Sequence, residues 1–174
     1  MKKMIVLAAL ICPMVFGSDD EVVNSIIKLG YQSSSDSQGA ASWDIKGFTF
    51  TFEAHGDQDS FLTSYAMISK LDLDGCIGSN CAQDDIDMVG FGLKFNLRPG
   101  DVKTYTEGLR EGMMYAKLGW ERADFPDGTS ESGKVLGIGY EKLFDKTGLF
   151  IEFKRHDEDT LDDDSLTLGA FFKF

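Results

Sequence analysis

Proline, cysteine and histidine are scarce in this chain: its 174 residues include three, three and two of them, respectively. No apolar run reaches the roughly 20 residues that a membrane-spanning helix requires, which excludes a plain bundle of membrane helices. Positive charge is also in deficit, since the formal net charge is −12. Nucleic acid is therefore excluded as a partner, because that binding depends on Lys and Arg neutralising phosphates.

Aromatic residues and glycine are abundant by contrast. The chain holds 14 Phe, 5 Tyr, 2 Trp and 19 Gly. Aromatic residues favour strands, and glycine permits tight turns, so this composition predicts a β protein. The length suits a single domain.

Residues 1–17 have the pattern of a secretory signal peptide. Lys2 and Lys3 precede the apolar residues 4–16, and small residues follow at Gly17. As a helix the apolar stretch would be about 20 Å long, short of the roughly 30 Å core of a bilayer. We expect cleavage after Gly17, export, and one domain over residues 18–174.

Two cysteines remain after that cleavage, Cys76 and Cys81. Because exported proteins meet an oxidising environment, we expect a disulfide between them. The chain-entropy estimate for so short a loop is about 2 kcal/mol. Free thiols are the alternative, and a metal site is a poor third because no histidine or second cysteine pair lies nearby.

Apolar residues alternate with polar ones or glycine in six clear stretches, a period of two that indicates strands. In chain order the alternating apolar residues are Phe48, Phe50 and Phe52; Val89, Phe91, Leu93, Phe95 and Leu97; Met114, Leu118 and Trp120; Leu136, Ile138 and Tyr140; Leu149, Ile151 and Phe153; and Leu166, Leu168, Phe172 and Phe174. Two weaker stretches lie around Leu29 and over residues 61–71, and the second has apolar residues on both faces, so its phase is undetermined. The pattern predicts eight strands.

The connections between these strands are long or short in alternation. Long polar connections cover residues 33–42, 72–85, 123–133 and 156–164, and short ones lie near residues 55–60 and 145–147. Residues 98–112 break this alternation. An up-and-down antiparallel order of strands is the simplest arrangement with this spacing.

The faces opposite the apolar rows carry positive and negative charges in near balance, as ion pairs inside a narrow barrel require. The residues expected in the barrel interior are Lys28, Glu53, Lys94, Lys117, Glu121, Glu141, Glu152, Lys154 and Lys173. Aromatic residues near the strand ends favour apolar rows that face lipid. The alternative is a soluble, lipocalin-like periplasmic carrier with its apolar rows around an inner cavity.

The last predicted strand resembles a known family in its sequence. Its outward row, Leu166, Leu168, Phe172 and Phe174, resembles the C-terminal signal strand of bacterial outer-membrane barrels, which the barrel-assembly machinery recognises. The chain is similar to the small eight-stranded family that includes OmpX-like proteins, opacity proteins and the OmpA transmembrane domain. The resemblance implies a closed barrel in the outer membrane, in contact with lipid and lipopolysaccharide. It also implies a short periplasmic turn at residues 98–112, where this chain is too long.

The same topology places the four long connections outside the cell, and two of them are rich in acids. The candidate cation contacts are Asp72, Asp74, Asp84, Asp85, Asp157, Asp159, Asp162, Asp163 and Asp164. These acids form either a solvated rim or a set of contacts to divalent ions that bridge lipopolysaccharide phosphates. No cofactor or dedicated metal site is expected.

The sequence indicates function less directly than it indicates fold and location. His55 and His156 are expected at opposite ends of the barrel, which disfavours an enzyme. An eight-stranded barrel is filled by its own side chains, so no open pore is expected. The sequence therefore predicts a structural or surface-interaction protein, acting in envelope integrity or adhesion, with an extracellular or host-surface ligand. The alternatives are the lipocalin-like carrier and a lipid-modifying barrel enzyme.

Overall fold

The computed structural model describes residues 24–38, 41–55, 61–98, 100–157 and 164–174. The elements are β1 (Asn24–Gln38), β2 (Ala41–His55), β3 (Leu62–Ile77), β4 (Asn80–Leu97), α1 (Tyr105–Glu111), β5 (Met113–Asp124), β6 (Ser130–Phe144), β7 (Thr147–Asp157) and β8 (Asp164–Lys173). The signal peptide predicted for residues 1–17 lies outside the described residues. Among the described residues, no helix is both long and apolar enough to cross a membrane.

The eight strands form one closed antiparallel barrel in sequence order. Each strand pairs with its neighbours along the chain, and β8 closes the barrel by pairing with β1, as in the register Tyr31↔Leu168. The predicted fold is therefore confirmed. The first described residue, Asn24, and Phe174 lie at one end of the barrel, called here the terminal end, and the β3–β4 hairpin lies at the opposite, far end.

The apolar rows point away from the barrel axis. Phe48 is 62% exposed and Leu29 is 57% exposed, whereas Lys94 and Glu141 are fully buried inside. A lipocalin-like carrier would have the reverse arrangement, so that alternative is wrong for this chain. We call the outward band of apolar side chains the apolar belt.

The phase of β3, undetermined from sequence, follows from its packing. Tyr65 points inward, and so do Thr63 and Met67, whereas Ile68 is on the outward face. The Tyr65 ring lies over a glycine of β5: a Cβ at Gly119 would come 2.1 Å from the Tyr65 hydroxyl. Glycine at that position therefore makes room for the tyrosine.

Two of the four long polar connections are mainly strands rather than loops, which corrects the prediction. β3 and β4 stay paired from the barrel up to Ile77↔Asn80, and the chain reverses at Gly78, whose φ is 62°. β1 and β2 likewise remain paired up to Gln38↔Ala41. Outside a membrane both faces of a sheet meet water, so pairing continues without the apolar alternation that predicts a strand.

The described part of the connection over residues 98–112 forms a plug at the terminal end and not a short turn, a second correction. Thr104 caps α1 in a capping box with Glu107. The helix buries Tyr105 and Leu109 in an apolar cluster with side chains of the barrel wall. The wall residues of that cluster are Ile26, Met113, Leu143, Phe150 and Phe171. The connection is long because it supplies part of the core.

Candidate functional site

A four-membered ion network fills the barrel just above the plug. Lys28 Nζ lies 2.7 Å from Glu53 Oε1 and 2.7 Å from Glu141 Oε2. Lys94 Nζ lies 2.9 Å from Glu141 Oε1 and also pairs with Glu53. Lys94 also donates to the Tyr105 hydroxyl of the plug, at 3.2 Å. Each carboxylate bridges both ammonium groups, so these buried charges are compensated.

Two further ion clusters lie nearer the far end. Lys117 Nζ is 2.6 Å from Glu152 Oε2, which also accepts from Tyr115. Glu121 pairs with Lys154 Nζ at 3.2 Å and with His156 Nε2 at 2.8 Å. The structure thus places eight of the nine predicted interior charges in these clusters.

The ninth predicted interior charge, Lys173, is partly exposed at the terminal end. It lies on the last residue of β8, where the inward face meets the barrel opening. Its position makes it a rim residue rather than a core charge.

Apolar clusters lie beyond the ion networks at both ends of the barrel. The cluster at the terminal end includes the plug. The far-end cluster includes Ile45, Leu71, Ile86, Met88 and Ala123. The described interior is therefore packed with side chains, which supports the expected absence of a pore, although that remains a prediction.

The two histidines lie at opposite ends of the barrel, as the topology implies. His55 Nδ1 is 2.9 Å from Thr63 Oγ1, and His156 contacts Glu121. Both contacts are buried inside the wall rather than open to a substrate. The absence of enzymatic activity stays a prediction.

A ring of charged side chains borders the apolar belt at the far end. On five strands a cation stands two residues beyond the last outward apolar residue: Lys46, Lys70, Arg122, Lys134 and Arg155. Asp87 and Asp164 hold the equivalent positions on β4 and β8. We call the five cations the basic collar. At this position a barrel in a membrane meets the lipid headgroups.

The acids of the β3–β4 hairpin contact the collar. Asp74 Oδ2 lies 3.1 Å from Lys46 Nζ, and Asp85 Oδ2 lies 3.5 Å from Lys70 Nζ. Gln83 donates to Asp74 at 2.5 Å. The hydrogen bond from Gln83, together with Lys46, lowers the pKa of Asp74, and the Asp74 carboxylate raises the pKa of Lys46.

The predicted cation contacts are only partly brought together. Asp72, Asp74, Asp84 and Asp85 line one groove of about 630 Å³ with Lys46, Gln83 and Pro126. Asp157 and Asp164 are exposed at the facing ends of β7 and β8, and Asp159, Asp162 and Asp163 lie outside the described residues. No group of three or more metal-ligating side chains arises within the described ranges.

Beyond the collar, β1–β4 continue as a four-stranded extension, called here the protruding sheet. In the described part of the chain, β4 pairs with β5 no further than Asp87↔Asp124. Its residues 80–86 pair with β3 alone. The protruding sheet therefore has an open edge on β4.

A disulfide joins Cys76 to Cys81 at the tip of the hairpin. The two residues lie directly opposite each other, with Cα atoms 4.1 Å apart. That spacing is typical of a non-hydrogen-bonded pair, so the backbone groups of Cys81, and of Gln83 two residues on, face the open edge.

The residues of the predicted assembly signal all point outward on β8. Leu166, Leu168, Phe172 and Phe174 are exposed, and the rings of Phe172 and Phe174 lie 4.9 Å apart. They are accessible on the membrane face of the folded barrel. Recognition by the assembly machinery stays a prediction.

Comparison with known proteins adds information on the fold. No family model matches the sequence, and no curated protein matches it either. Ail, the attachment invasion locus protein of Yersinia pestis, is similar in structure, with a TM-score of 0.55 at 13% identity over 87% of this chain and 98% of that chain. At this identity the likeness shows the fold alone.

Two further solved structures are less similar to this chain. The loop L8 deletion mutant of OmpT, an outer membrane protein of Vibrio cholerae, has a TM-score of 0.35 at 16% identity, over 86% of this chain and 49% of that chain. The translocator domain of the autotransporter NalP from Neisseria meningitidis has a TM-score of 0.40 at 10% identity, over 95% and 93%. These TM-scores are too low to support an argument.

The location follows from the build of the barrel. A closed antiparallel barrel with an apolar belt outside and ion pairs inside is the form in which β proteins span bacterial outer membranes. This chain has that form. It is an outer-membrane barrel, as its resemblance to the small eight-stranded family implies.

Proposed function

Because the chain has the fold of the small eight-stranded outer-membrane barrels, we propose that it is a surface-interaction protein whose working part is the protruding sheet. With the terminal end toward the periplasm, this sheet stands outside the cell. The open edge of β4 at residues 80–86 carries the proposal. Such an edge presents unpaired N–H and C=O groups and can accept an extended segment of another protein as an added strand.

The charge of the edge selects the partner. Asp84, Asp85 and Asp87 lie along or just below the open edge. Like charges disfavour pairing between two copies of this edge, because opposed acids on adjacent strands repel. An extended segment with alternating basic side chains is the complementary partner. Ail is named for attachment and invasion, a role in line with this proposal.

The disulfide supports the same role. By joining Cys76 to Cys81, it limits fraying of the hairpin tip. A pre-ordered edge loses less conformational entropy when a strand is added. The disulfide therefore favours binding without contacting the partner.

The test blocks the edge and leaves the hairpin in place. Gln83→Pro removes an N–H that faces the open edge, where proline is compatible with an edge strand. Gln83→Ala is the matched control, since it also loses the hydrogen bond to Asp74 but keeps the N–H. The probe is an extended peptide of alternating lysine and valine, measured on cells displaying each variant. We expect at least tenfold weaker capture by Gln83→Pro than by Gln83→Ala, about 1.4 kcal/mol. Equal capture by the two variants contradicts the proposal.

The basic collar favours a second, structural function, anchoring to lipopolysaccharide. Its five cations stand at headgroup level on the outer side, where lipid A phosphates lie. Some are also held by acids, as Arg122 is by Asp124 at 2.9 Å. Because lysine and arginine contact phosphate directly, this anchoring would need no divalent ion.

A paired variant tests the collar. Lys134→Ser with Arg155→Ser removes two collar cations on neighbouring strands, and Lys103→Ser removes an exposed cation at the terminal end. We expect lipopolysaccharide retention by the purified barrel to fall for the collar variant alone. Unchanged retention argues against anchoring.

A further inference from the structure

An outward groove crosses the terminal half of the apolar belt over β6, β7 and β8. Its volume is about 570 Å³, and its walls include Tyr140, Leu149, Ile151 and Leu168. All four side chains belong to the outward rows, so the groove opens toward lipid. Phe144, Phe150 and Gly169 complete its lining apart from one charged residue.

One charged side chain lines this groove, Lys142. It lies between Tyr140 and Phe144 in the outward row of β6, near the terminal edge of the apolar belt. Within the described residues Lys142 has no ion-pair partner, unlike the buried lysines. An ammonium without an ion-pair partner among the apolar walls of a groove favours a ligand with an anionic head and an apolar tail.

The position of the groove specifies the leaflet. The basic collar borders the belt at the far end, whereas Lys142 lies near the terminal edge of the belt. In the orientation proposed above, lipopolysaccharide meets the collar, and phospholipid of the periplasmic leaflet meets Lys142. The two sites therefore take different lipids.

We propose that this groove is a binding site for one glycerophospholipid of the periplasmic leaflet. An acyl chain lies along Leu149 and Ile151, and the phosphate contacts the ammonium of Lys142. This site is independent of the open edge of β4, and either can fail without the other. It makes one face of the barrel, β6–β8, a preferred contact for anionic lipid.

The experiment counts lipids retained by the folded full-length barrel in native mass spectrometry. The barrel is taken from vesicles that contain phosphatidylglycerol or, in a parallel arm, diacylglycerol with the same acyl chains. Lys142→Ser removes the charge, and Ile151→Trp fills the groove. The matched controls are Lys103→Ser, an exposed cation at the terminal end outside the groove lining, and Ile138→Trp, an outward belt residue outside that lining.

We expect wild type and both controls to retain one phosphatidylglycerol, and both groove variants to retain about tenfold less. Heat-modifiable migration on a gel verifies that each variant is folded. Wild-type retention by Lys142→Ser, an equal loss in the matched controls, or equal retention of diacylglycerol by wild type overturns the proposal.

Discussion

The imidazole ring of His55 stacks on the phenol ring of Tyr105, with ring centroids 4.0 Å apart and an interplanar angle of 15°. His55 ends β2 in the barrel wall, and Tyr105 begins α1 in the plug. Lys94 joins the same contact from the ion network by donating to the Tyr105 hydroxyl. The plug is therefore packed into the barrel core and does not merely cover the barrel opening.

Truncating Tyr105 tests this continuity. Tyr105→Ala should lower the free energy of unfolding by about 3–5 kcal/mol, because a large buried ring leaves a cavity. Tyr105→Phe keeps the ring stack but loses the hydrogen bond from Lys94. This loss should lower the free energy of unfolding by about 1–3 kcal/mol. Urea unfolding in lipid vesicles measures both. Lys103→Ala, an exposed control in the same connection, should change little, and an equal effect of all three variants would contradict a packed plug.

The Lys117–Glu152 pair tests whether buried charges are mutually compensated. Lys117→Met leaves Glu152 buried without its ammonium and should cost about 3–5 kcal/mol of unfolding free energy. Adding Glu152→Gln removes the orphaned charge and preserves an acceptor for Tyr115. The double variant should therefore be more stable than the single one. Strictly additive losses would show that the two side chains act independently.

The disulfide should stabilise the protruding sheet and leave the barrel unaffected. Replacing Cys76 and Cys81 by serine releases a loop closure worth about 2 kcal/mol. Amide hydrogen exchange in residues 72–85 should then accelerate about 30-fold, whereas exchange in β6 and β7 stays unchanged. Faster exchange throughout the barrel would mean that the disulfide stabilises the whole fold.

The Asp74 contacts predict an acid sensitivity confined to the same hairpin. The hydrogen bond from Gln83 and the nearby Lys46 hold the pKa of Asp74 below its ordinary value of 3.8. A lowered pKa means that these contacts stabilise the hairpin above pH 3.8 and are lost as pH falls through the folded pKa. Exchange at residues 72–85 should therefore rise on acidification, after correction for the intrinsic rate. Asp74→Asn keeps an acceptor but cannot titrate, and an equal rise in that variant would assign the effect elsewhere.

The orientation of most strands could be predicted from sequence because lipid on one face and packed charge on the other enforce alternation. Phe48, Phe50 and Phe52 on β2 and Leu136 and Ile138 on β6 show this pattern. β3 was ambiguous because its inward face is apolar too, with Tyr65 and Met67 in the far-end cluster. Composition cannot separate two apolar faces.

The sequence does not predict the plug or the partners within the ion networks, for different physical reasons. Thr104 and Glu107 form a capping-box pattern that could have indicated a helix inside residues 98–112. The packing of that helix into the end of the barrel cannot be predicted, because it depends on contacts that form only when the eight strands close. The pairing of Lys94 with Glu141, 47 residues apart, likewise exists only once the strands close and tilt around one axis.

Tryptophan fluorescence can determine directly which surface of the barrel meets lipid. The chain has two tryptophans: Trp120 in the outward row of β5, beside Phe91, and Trp43, packed against the far-end cluster beyond the collar. Single-tryptophan variants, Trp43→Phe and Trp120→Phe, are folded into vesicles whose acyl chains carry bromine, and fluorescence quenching is measured. We expect strong quenching of Trp120 and little quenching of Trp43. An unquenched Trp120 would contradict an apolar belt in contact with hydrocarbon.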